Sequence, residues 1–171
     1  WGSIRVTDLH EMDFYPQDHN RYSLRAGDIL VCEGGEVGRC AIWRAPLGEC
    51  YYQKALHRLR PWRSETDVPE FMRWALEAAA KRGCFAEDDS KTTISHLPAE
   101  DLRHTRWPFP PLAEQIGVAE FLSKETAKID ALIAEQRLLI GLLEEKRRCA
   151  ISHAVTKGMN TAAKTKPSGV E

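Results

Sequence analysis

The chain has 171 residues, of which 43% are apolar and 29% charged, and its formal net charge is −1. This size allows one ordinary hydrophobic core plus an extended helix, and the sequence lacks both an apolar run of about 18 residues and a signal-peptide pattern, so we expect a cytoplasmic protein. Proteins that bind nucleic acid mainly through phosphates usually carry a basic excess, so any DNA role must depend on local patches.

The first third of the chain predicts a β-hairpin. Residues 1–28 are polar and irregular, and only residues 4–6 resemble a strand. Two β-rich runs, 29–32 and 39–43, flank a glycine-rich connection over residues 33–38, which is typical of a hairpin. The glycine spacing is not G-x-G-x-x-G and a strand rather than a helix follows, which disfavours a nucleotide-binding loop.

The most basic stretch is residues 51–63, which contains Lys54, Arg58, Arg60 and Arg63 and no acid. On a strand, Lys54, Arg58 and Arg60 would share one face. Such a face can lie along phosphates or present guanidinium groups to guanine edges. A solvated strand face, balanced by acids elsewhere, explains the stretch equally well.

A helix is predicted from Pro69, which suits a first helical turn, to Arg82-Gly83. Its apolar face consists of Phe71, Trp74, Ala75, Ala78 and Ala79. The segment 91–95 then combines Lys91 with the hydroxyls of Thr92 and its neighbours, which are groups that contact phosphates and bases. A plain strand edge is the favoured alternative there. Residues 97–102 suggest a turn, and residues 103–107 suggest a last strand.

The last third of the chain predicts a long helix with an apolar seam. Pro108, Pro110 and Pro111 mark the preceding boundary, Ser123 is placed to cap a second helical segment after a short one over 112–122, and Gly158 is a plausible stop. Spacings that alternate between four and three residues are typical of one arm of a coiled coil. The seam residues are Leu122, Thr126, Ile129, Ile133, Gln136, Ile140, Leu143, Arg147, Ala150 and Ala154, and a second apolar row consists of Leu132, Leu139 and Leu142.

Motifs for catalysis or metal binding are not found in the sequence. The five cysteines are odd in number and lack C-x-x-C spacing, so we expect reduced thiols rather than disulfides or a zinc site. The histidines lack H-x-x-H or H-E-x-x-H spacing. Pro110-Pro111-Leu112 lacks the preceding Asn or Asp of an adenine methyltransferase motif, and neither a G-x-S-x-G nor a convincing carboxylate pair occurs. These observations favour a binding protein.

Several segments together resemble the specificity subunit of type I restriction-modification systems, and the likeness extends over nearly the whole chain. The most specific are the P-P-L-x-E-Q entry to the helix, the F-L-x-x-x-T-x-x-I-D run from Phe121 to Asp130 and the closing A-V-T-K-G. The segments, in order, are residues 27–31, 34–39, 52–56, 93–97, 110–115, 121–130 and 154–158.

This resemblance implies an α+β fold: a small mixed target recognition domain followed by a long helix that forms one arm of an antiparallel coiled coil. It further implies that the domain reads one half of a split site in double-stranded DNA. The helix would pair with a second specificity half and dock modification subunits, and a restriction subunit can join. Methyl transfer and cleavage, with S-adenosylmethionine, ATP and Mg²⁺, would belong to those partners, so this chain needs no cofactor or metal and is not an enzyme by itself.

On this basis we predict a recognition domain over residues 1–109, a helical region over 110–158 and a disordered tail over 159–171. Because the chain opens at Trp1 without a methionine, we expect the first domain to be truncated. The predicted DNA contacts are Lys54, Arg58, Arg60, Arg63, Lys91 and Thr92, and the predicted helix-pairing residues are Leu122, Ile129, Ile133, Ile140 and Leu143. The alternatives are a half-subunit that dimerises, the recognition part of a fused restriction enzyme, and a coiled-coil scaffold with no DNA role.

Overall fold

The computed structural model describes residues 1–63, 65–85 and 96–160, together with the single residues 162, 164 and 169. A small antiparallel sheet combined with helices, including a long C-terminal one, confirms the predicted α+β class. The predicted contacts Lys91 and Thr92 lie outside the described residues, as does most of the tail predicted to be disordered. The elements are α1 (Pro16–Tyr22), β1 (Ile29–Cys32), β2 (Cys40–Ile42), β3 (Leu56–Leu59), α2 (Pro69–Lys81), α3 (Ala99–His104) and α4 (Leu112–Lys157).

The chain divides into two compact units, Trp1–Phe121 and Leu122–Glu171. The first contains the sheet, helices α1 to α3 and the first turns of α4, and the second contains the rest of α4. Within the described part of the chain, no helix combines the length and apolar character that crossing a membrane requires.

Strands β1 and β2 form the predicted hairpin, with Val31 opposite Cys40 in antiparallel register. Strand β3 pairs antiparallel with the other side of β1, so the strand order in the described residues is β2-β1-β3. The connection needs glycine at Gly38, where φ is +78° and an added Cβ would lie 2.6 Å from Cδ2 of Phe85. Glycine alone meets both the backbone and the space requirement.

One apolar cluster joins the sheet to helix α2. Ile29 and Val31 of β1 and Leu76 of α2 are all buried in it. The predicted helix is confirmed, with Pro69 in its first turn and Arg82 at its C-cap. The predicted apolar face of this helix is only partly correct, because Leu76, which it omits, lies in the core, whereas Ala78, which it includes, is exposed. The remaining buried members of the cluster are Cys40, Ile42, Phe85, Leu97 and Leu102.

The predicted last strand over residues 103–107 is wrong, because Ala99–His104 form helix α3 and no strand follows it among the described residues. The backbone N–H of Thr105 donates to the Asp101 carbonyl at 3.0 Å, and Thr105 Oγ1 donates to the same oxygen at 2.8 Å. These are the i to i−4 bonds of a helix end. Acidic residues in the first turn and basic residues in the last also complement the helix dipole, and this local pattern outweighs the strand propensity of the segment.

Helix α4 runs without interruption from Leu112 to Lys157, so the predicted break at Ser123 is wrong. A cap at Ser123 would require extended backbone there. Extending an existing helix adds one hydrogen bond per residue, whereas starting a second helix requires a new nucleus. The predicted stop is confirmed, because Gly158 has φ of +74° and its N–H donates to the Ala154 carbonyl at 3.1 Å.

All five cysteines are free thiols. Cys40 lies in the core, and burial raises the pKa of its thiol to about 12 despite the opposing charge of Arg73. Its Sγ donates to the Arg73 carbonyl oxygen at 3.6 Å. Since the thiolate is the reactive form, Cys40 acts as a small core residue rather than as a nucleophile.

Candidate nucleic-acid interface

An open groove of about 520 Å³ follows the outer strand β3. The end of helix α1 and helix α3 contribute the other walls. Several consecutive β3 residues line it, as expected of a groove that lies along a strand edge rather than on one sheet face. The residues of this β3 groove are Arg21, Tyr22, Tyr52, Lys54, Leu56, His57, Arg58, Leu59, Ala99, Leu102 and Arg103.

The described lining of the β3 groove contains four cationic side chains and two tyrosine rings but no carboxylate. The Arg58 guanidinium lies 5.4 Å from the centroid of the Tyr52 ring, and that of Arg21 lies 5.2 Å from the Tyr22 ring. The two rings meet edge to face, with centroids 5.6 Å apart. Cations bind phosphates and aromatic rings stack on bases or sugars, so this combination suits nucleic acid.

Arg58 is held in place by the loop before β1. Its Nη1 donates to the Ser23 carbonyl oxygen at 2.6 Å, in a half-buried position. One of five guanidinium N–H donors is used in this bond, and the Arg58 side chain makes no other hydrogen bond within the described part of the chain. A side chain fixed in this way loses little conformational entropy on binding, which favours a specific contact over a diffuse one.

Arg60 is engaged differently, in an ion pair with Asp28. The Asp28 side chain is only 1% exposed, and Nε and Nη2 of Arg60 donate to its two oxygens at 2.6 and 2.7 Å. The hydrogen bond to Asp28 raises the pKa of Arg60. The DNA contact predicted for Arg60 stays a prediction. The pairing of its guanidinium with Asp28 fixes the end of β3 to the turn before β1.

The other predicted DNA contacts lie in different places. Lys54 is exposed in the β3 groove, while Arg63 is exposed in the loop after β3 and does not line the groove. The backbone N–H of Arg63 donates to Oδ2 of Asp67 at 3.0 Å. Among the described residues, no group of three His, Cys, Asp or Glu side chains is placed to hold a metal ion.

Arg21, Tyr22 and Arg103 line the groove but are not among the site residues predicted from the sequence. Arg21 and Tyr22 belong to α1, a helix of seven residues that followed no apolar pattern. Arg103 was expected on a strand, where its partners would have been different. Pro16 at the start of α1 and the charge order of α3 were the local signals that could have located these helices.

The Gln of the P-P-L-x-E-Q motif joins α4 to the rest of the first unit. Gln115 is 2% exposed, and its Nε2 donates to the carbonyl oxygens of Pro110 and Thr66 at 2.8 and 3.0 Å. Its Oε1 accepts a hydrogen bond from the backbone N–H of Val68 at 3.1 Å. Three of the four hydrogen-bonding positions of the amide are therefore used to fix the start of α4.

The second unit presents a row of apolar side chains along α4. Ile129, Ile133, Ile140 and Leu143 are exposed, and Leu122 is partly buried. The second apolar row, Leu132, Leu139 and Leu142, is exposed as well. The helical part of this unit, residues 122–157, is about 54 Å long at 1.5 Å per residue.

Comparisons with known proteins identify the family. Residues 4–139 match the family model for the type I restriction modification DNA specificity domain. The chain is 25% identical over 163 residues to the putative type I restriction enzyme MjaX specificity subunit of Methanocaldococcus jannaschii, a match that covers 92% of this chain and 37% of that protein. It is 36% identical over 67 residues to the type I restriction enzyme EcoBI specificity subunit of Escherichia coli, which covers 39% of this chain and 14% of that subunit. The chain thus spans well under half the length of these relatives. Because the family model covers most of its residues, the chain belongs to the type I restriction modification DNA specificity domain family.

Proposed function

We propose that this chain reads one half of a split DNA site for a type I restriction-modification complex and has no catalytic part itself. The observation that carries the proposal is the β3 groove, where Lys54, Arg58 and Arg103 surround tyrosine rings without a carboxylate in the described lining. In a chain of this family, such a groove is suited to the phosphates and base edges of a duplex.

The charge distribution agrees with this proposal. The chain as a whole is nearly neutral, at −1, so it cannot bind DNA through bulk charge. The cations of the β3 groove are concentrated locally, and Arg58 is already oriented by Ser23. Base recognition by a few oriented groups, with backbone contacts shared among partner subunits, is compatible with a neutral chain.

We assign helix pairing and subunit docking to α4. Exposure of its apolar row to water is unfavourable, and a second helix that covers the row would lower the free energy of the assembly. In this proposal, Leu122, Ile129, Ile133, Ile140 and Leu143 pair with a second specificity half, and modification subunits dock on the pair. S-adenosylmethionine, ATP and Mg²⁺ would act in the modification and restriction subunits.

The test is to co-express the specificity subunit that carries this chain with its modification subunit and map the methylated adenines in the host DNA. We expect methylation at one split motif, and we expect exchange of residues 1–110 for those of a relative to alter one half of that motif. A stable, purified complex that methylates no site would contradict the proposal.

The groove itself is tested by Lys54→Ala combined with Arg103→Ala, two exposed side chains whose loss leaves the core intact. We expect methylation to fall at the same motif while the complex still assembles. Arg44→Ala is the matched control, because Arg44 is an exposed cation paired with Glu70 and lies outside the groove lining. Unchanged methylation in the double variant would place the DNA contact elsewhere in the molecule.

A further inference from the structure

Trp62 stands out among the tryptophans because its side chain is 91% exposed, whereas Trp43 is 3% exposed and Trp1 38% exposed. Trp74 and Trp107 are partly buried. Tryptophan is a highly buried residue type on average, since its ring loses much apolar surface from water when it packs. A single exposed apolar residue has no meaning by exposure alone. The loop that carries Trp62, however, is fixed on both sides.

The chain before Trp62 is anchored by Arg60 and Pro61. Arg60 is bonded to the buried carboxylate of Asp28 through two N–H groups. Proline fixes its own φ and restricts the residue before it to extended conformations. The polypeptide therefore leaves the sheet in one direction and reaches Trp62 with little backbone freedom.

The chain after Trp62 is anchored as well. The backbone N–H of Arg63 donates to Oδ2 of Asp67 at 3.0 Å, and the Asp67 N–H donates back to the Arg63 carbonyl at 2.8 Å. The Thr66 carbonyl accepts a bond from the buried amide of Gln115 at 3.0 Å. These bonds hold Arg63, Thr66 and Asp67 in place, so the backbone next to the exposed indole has little ordering entropy left to lose on binding.

The position of this loop relates Trp62 to the β3 groove. Leu59, the last residue of β3, lines that groove, and Trp62 follows three residues later, within about 10 Å along an extended chain. The major groove of a duplex is about 12 Å wide, so a duplex bound in the β3 groove is wide enough to reach from Leu59 to Trp62. Arg63 follows directly as an exposed cation. This continuity favours nucleic acid over a protein as the partner of the indole.

We propose that Trp62 is a wedge residue whose indole inserts at a base step and stacks on an exposed base face, next to the contacts made in the β3 groove. The proposal rests on the proposed DNA-binding function. Apolar and aromatic wedges unstack a base step, and stacking on a base face tolerates any sequence. Trp62 therefore adds affinity and bends the site but does not read the bases.

The test uses the purified specificity subunit with its modification subunits and a duplex that carries the methylated motif. Binding is measured for wild type, Trp62→Ala and Trp62→Phe over a series of salt concentrations. We expect Trp62→Ala to weaken binding by about 5- to 100-fold and Trp62→Phe to retain most of the affinity. Tyr15→Ala is the control, since Tyr15 is an exposed aromatic residue outside the groove lining.

The salt series separates stacking from a charge effect. An indole neutralises no phosphate, so Trp62→Ala should leave the slope of log affinity against log salt unchanged, whereas Lys54→Ala should lower it by about one. Tryptophan fluorescence gives a second readout: DNA should quench part of the wild-type emission, and Trp62→Phe should lack that part.

Three results would overturn the proposal in distinguishable ways. Wild-type binding without quenching, together with unchanged affinity in Trp62→Ala, would remove Trp62 from the DNA contact and leave the proposed function intact. Loss of modification subunits from Trp62→Ala, at unchanged DNA affinity, would assign the indole to a protein interface. No binding of any duplex by the wild-type complex would remove the proposed function and, with it, the wedge.

Discussion

Oε1 of Gln115 accepts a hydrogen bond from the backbone N–H of Val68, the N-cap residue of α2, at a distance of 3.1 Å. The N-terminal N–H groups of a helix lack partners within the helix, and Val68 has no side-chain oxygen to act as a cap. The amide of Gln115 thus orders the start of α2 while its Nε2 fixes the residues that precede α4. This is a physical reason for glutamine at the end of the P-P-L-x-E-Q motif.

Replacing Gln115 should destabilise the first unit. Gln115→Met fills the same volume but leaves the Val68 N–H and the Pro110 carbonyl without their partner. Each buried polar group left unsatisfied costs about 1–3 kcal/mol, so we expect a loss of about 2–5 kcal/mol in the free energy of unfolding. Denaturant unfolding measures it, with the exposed Gln17→Ala as control. A loss below about 0.5 kcal/mol for Gln115→Met, the range of neutral surface changes, would mean that the amide is not a structural lock.

Gln115 also shows which features of the fold can be predicted from local sequence patterns and which cannot. Its motif is one of several segments that together indicate the family, and it predicts the start of α4. The hairpin and α2 follow from local patterns of glycine, proline and apolar residues. The partner of Gln115 lies 47 residues earlier in the chain, and no local pattern indicates that contact. Burial and hydrogen bonding to a distant backbone are properties of the folded chain rather than of a window of sequence.

The candidate site shows the same division. The cations of residues 51–63 are recognisable in the sequence, and strand alternation predicts that Lys54, Arg58 and Arg60 share one face. In the structure, β3 extends only from Leu56 to Leu59, so Arg58 alone of the three lies on the strand. Strand alternation does not predict that Arg60 is paired with Asp28, whereas Lys54 is exposed in the groove. Helix α3 brings Arg103 to the β3 groove, and a helix of six residues has too few turns for an apolar period to be visible.

The Asp28–Arg60 pair should contribute to stability as well as to the position of β3. Arg60→Met removes the cation and leaves the carboxylate of Asp28, which is 1% exposed, without its bidentate partner. Breaking a buried pair by removing one member costs about 3–5 kcal/mol, and we expect a loss in this range. Thermal or denaturant unfolding measures it.

Arg44→Met is the matched control for that experiment, because the Arg44–Glu70 pair is largely exposed and such pairs contribute about 0–1 kcal/mol. Arg60→Lys should recover only part of the stability, since an ammonium cannot reproduce two parallel N–H bonds. Equal stability of the Arg60 and Arg44 variants would show that Asp28 is solvated well enough to stand alone.

Two glycines of the hairpin region permit a test of space against backbone strain. Gly35 and Gly38 have similar φ values of +73° and +78°, but an added Cβ meets nothing within 4 Å at Gly35 and lies 2.6 Å from the Phe85 ring at Gly38. Left-handed backbone costs an L-residue about 1–2 kcal/mol, which both alanine variants incur. Overpacking adds about 1–3 kcal/mol at Gly38 alone.

We therefore expect Gly38→Ala to be less stable than Gly35→Ala by about 1–3 kcal/mol in denaturant unfolding. Gly38→Ala combined with Phe85→Leu should recover part of this difference, because the smaller side chain leaves room for the methyl group. Equal stability of the two alanine variants would indicate that Phe85 moves aside at little cost.

The apolar row on α4 predicts a specific loss of assembly. Ile133→Asp combined with Ile140→Asp places two charges on the seam, where a partner helix would have to desolvate them. We expect this double variant to lose helix pairing and co-purification with the modification subunits. Size-exclusion chromatography with mass measurement records both outcomes and also reveals whether the isolated chain dimerises.

Ala131→Asp combined with Leu138→Asp is the control for the seam. It adds the same two charges to the same helix, but these positions lie about 200° around the helix from Ile129 and Ile140, respectively. The control variant should assemble, and circular dichroism should show similar helix content in both proteins. Assembly of the Ile133 and Ile140 variant would mean that the seam lies on another face.

Glu77 on α2 should make stability depend on acid. Its Oε2 accepts a bond from Arg73 Nη1 at 2.9 Å and its Oε1 one from Lys81 Nζ at 2.7 Å. Burial by itself raises the pKa of Glu77, but the hydrogen bonds and charges of Lys81 and Arg73 together outweigh it and lower the pKa from its ordinary value of 4.5. The folded protein therefore binds this proton less readily than the unfolded chain does.

It follows from linkage that the stabilisation by Glu77 is fully present above pH 4.5 and disappears as the pH falls through the lowered pKa of the folded state. Glu77→Gln keeps the size and removes the charge, so we expect about 1–2 kcal/mol lower stability at pH 7 and a smaller decline between pH 5 and pH 3. Urea unfolding at several pH values measures both effects. Glu36→Gln, in the exposed pair with Arg39, should leave the curve nearly unchanged. If the Glu77→Gln curve ran parallel to that of the wild type down to pH 3, the carboxylate of Glu77 would have the same proton affinity in the folded and unfolded states, and the two ion pairs would not stabilise the helix.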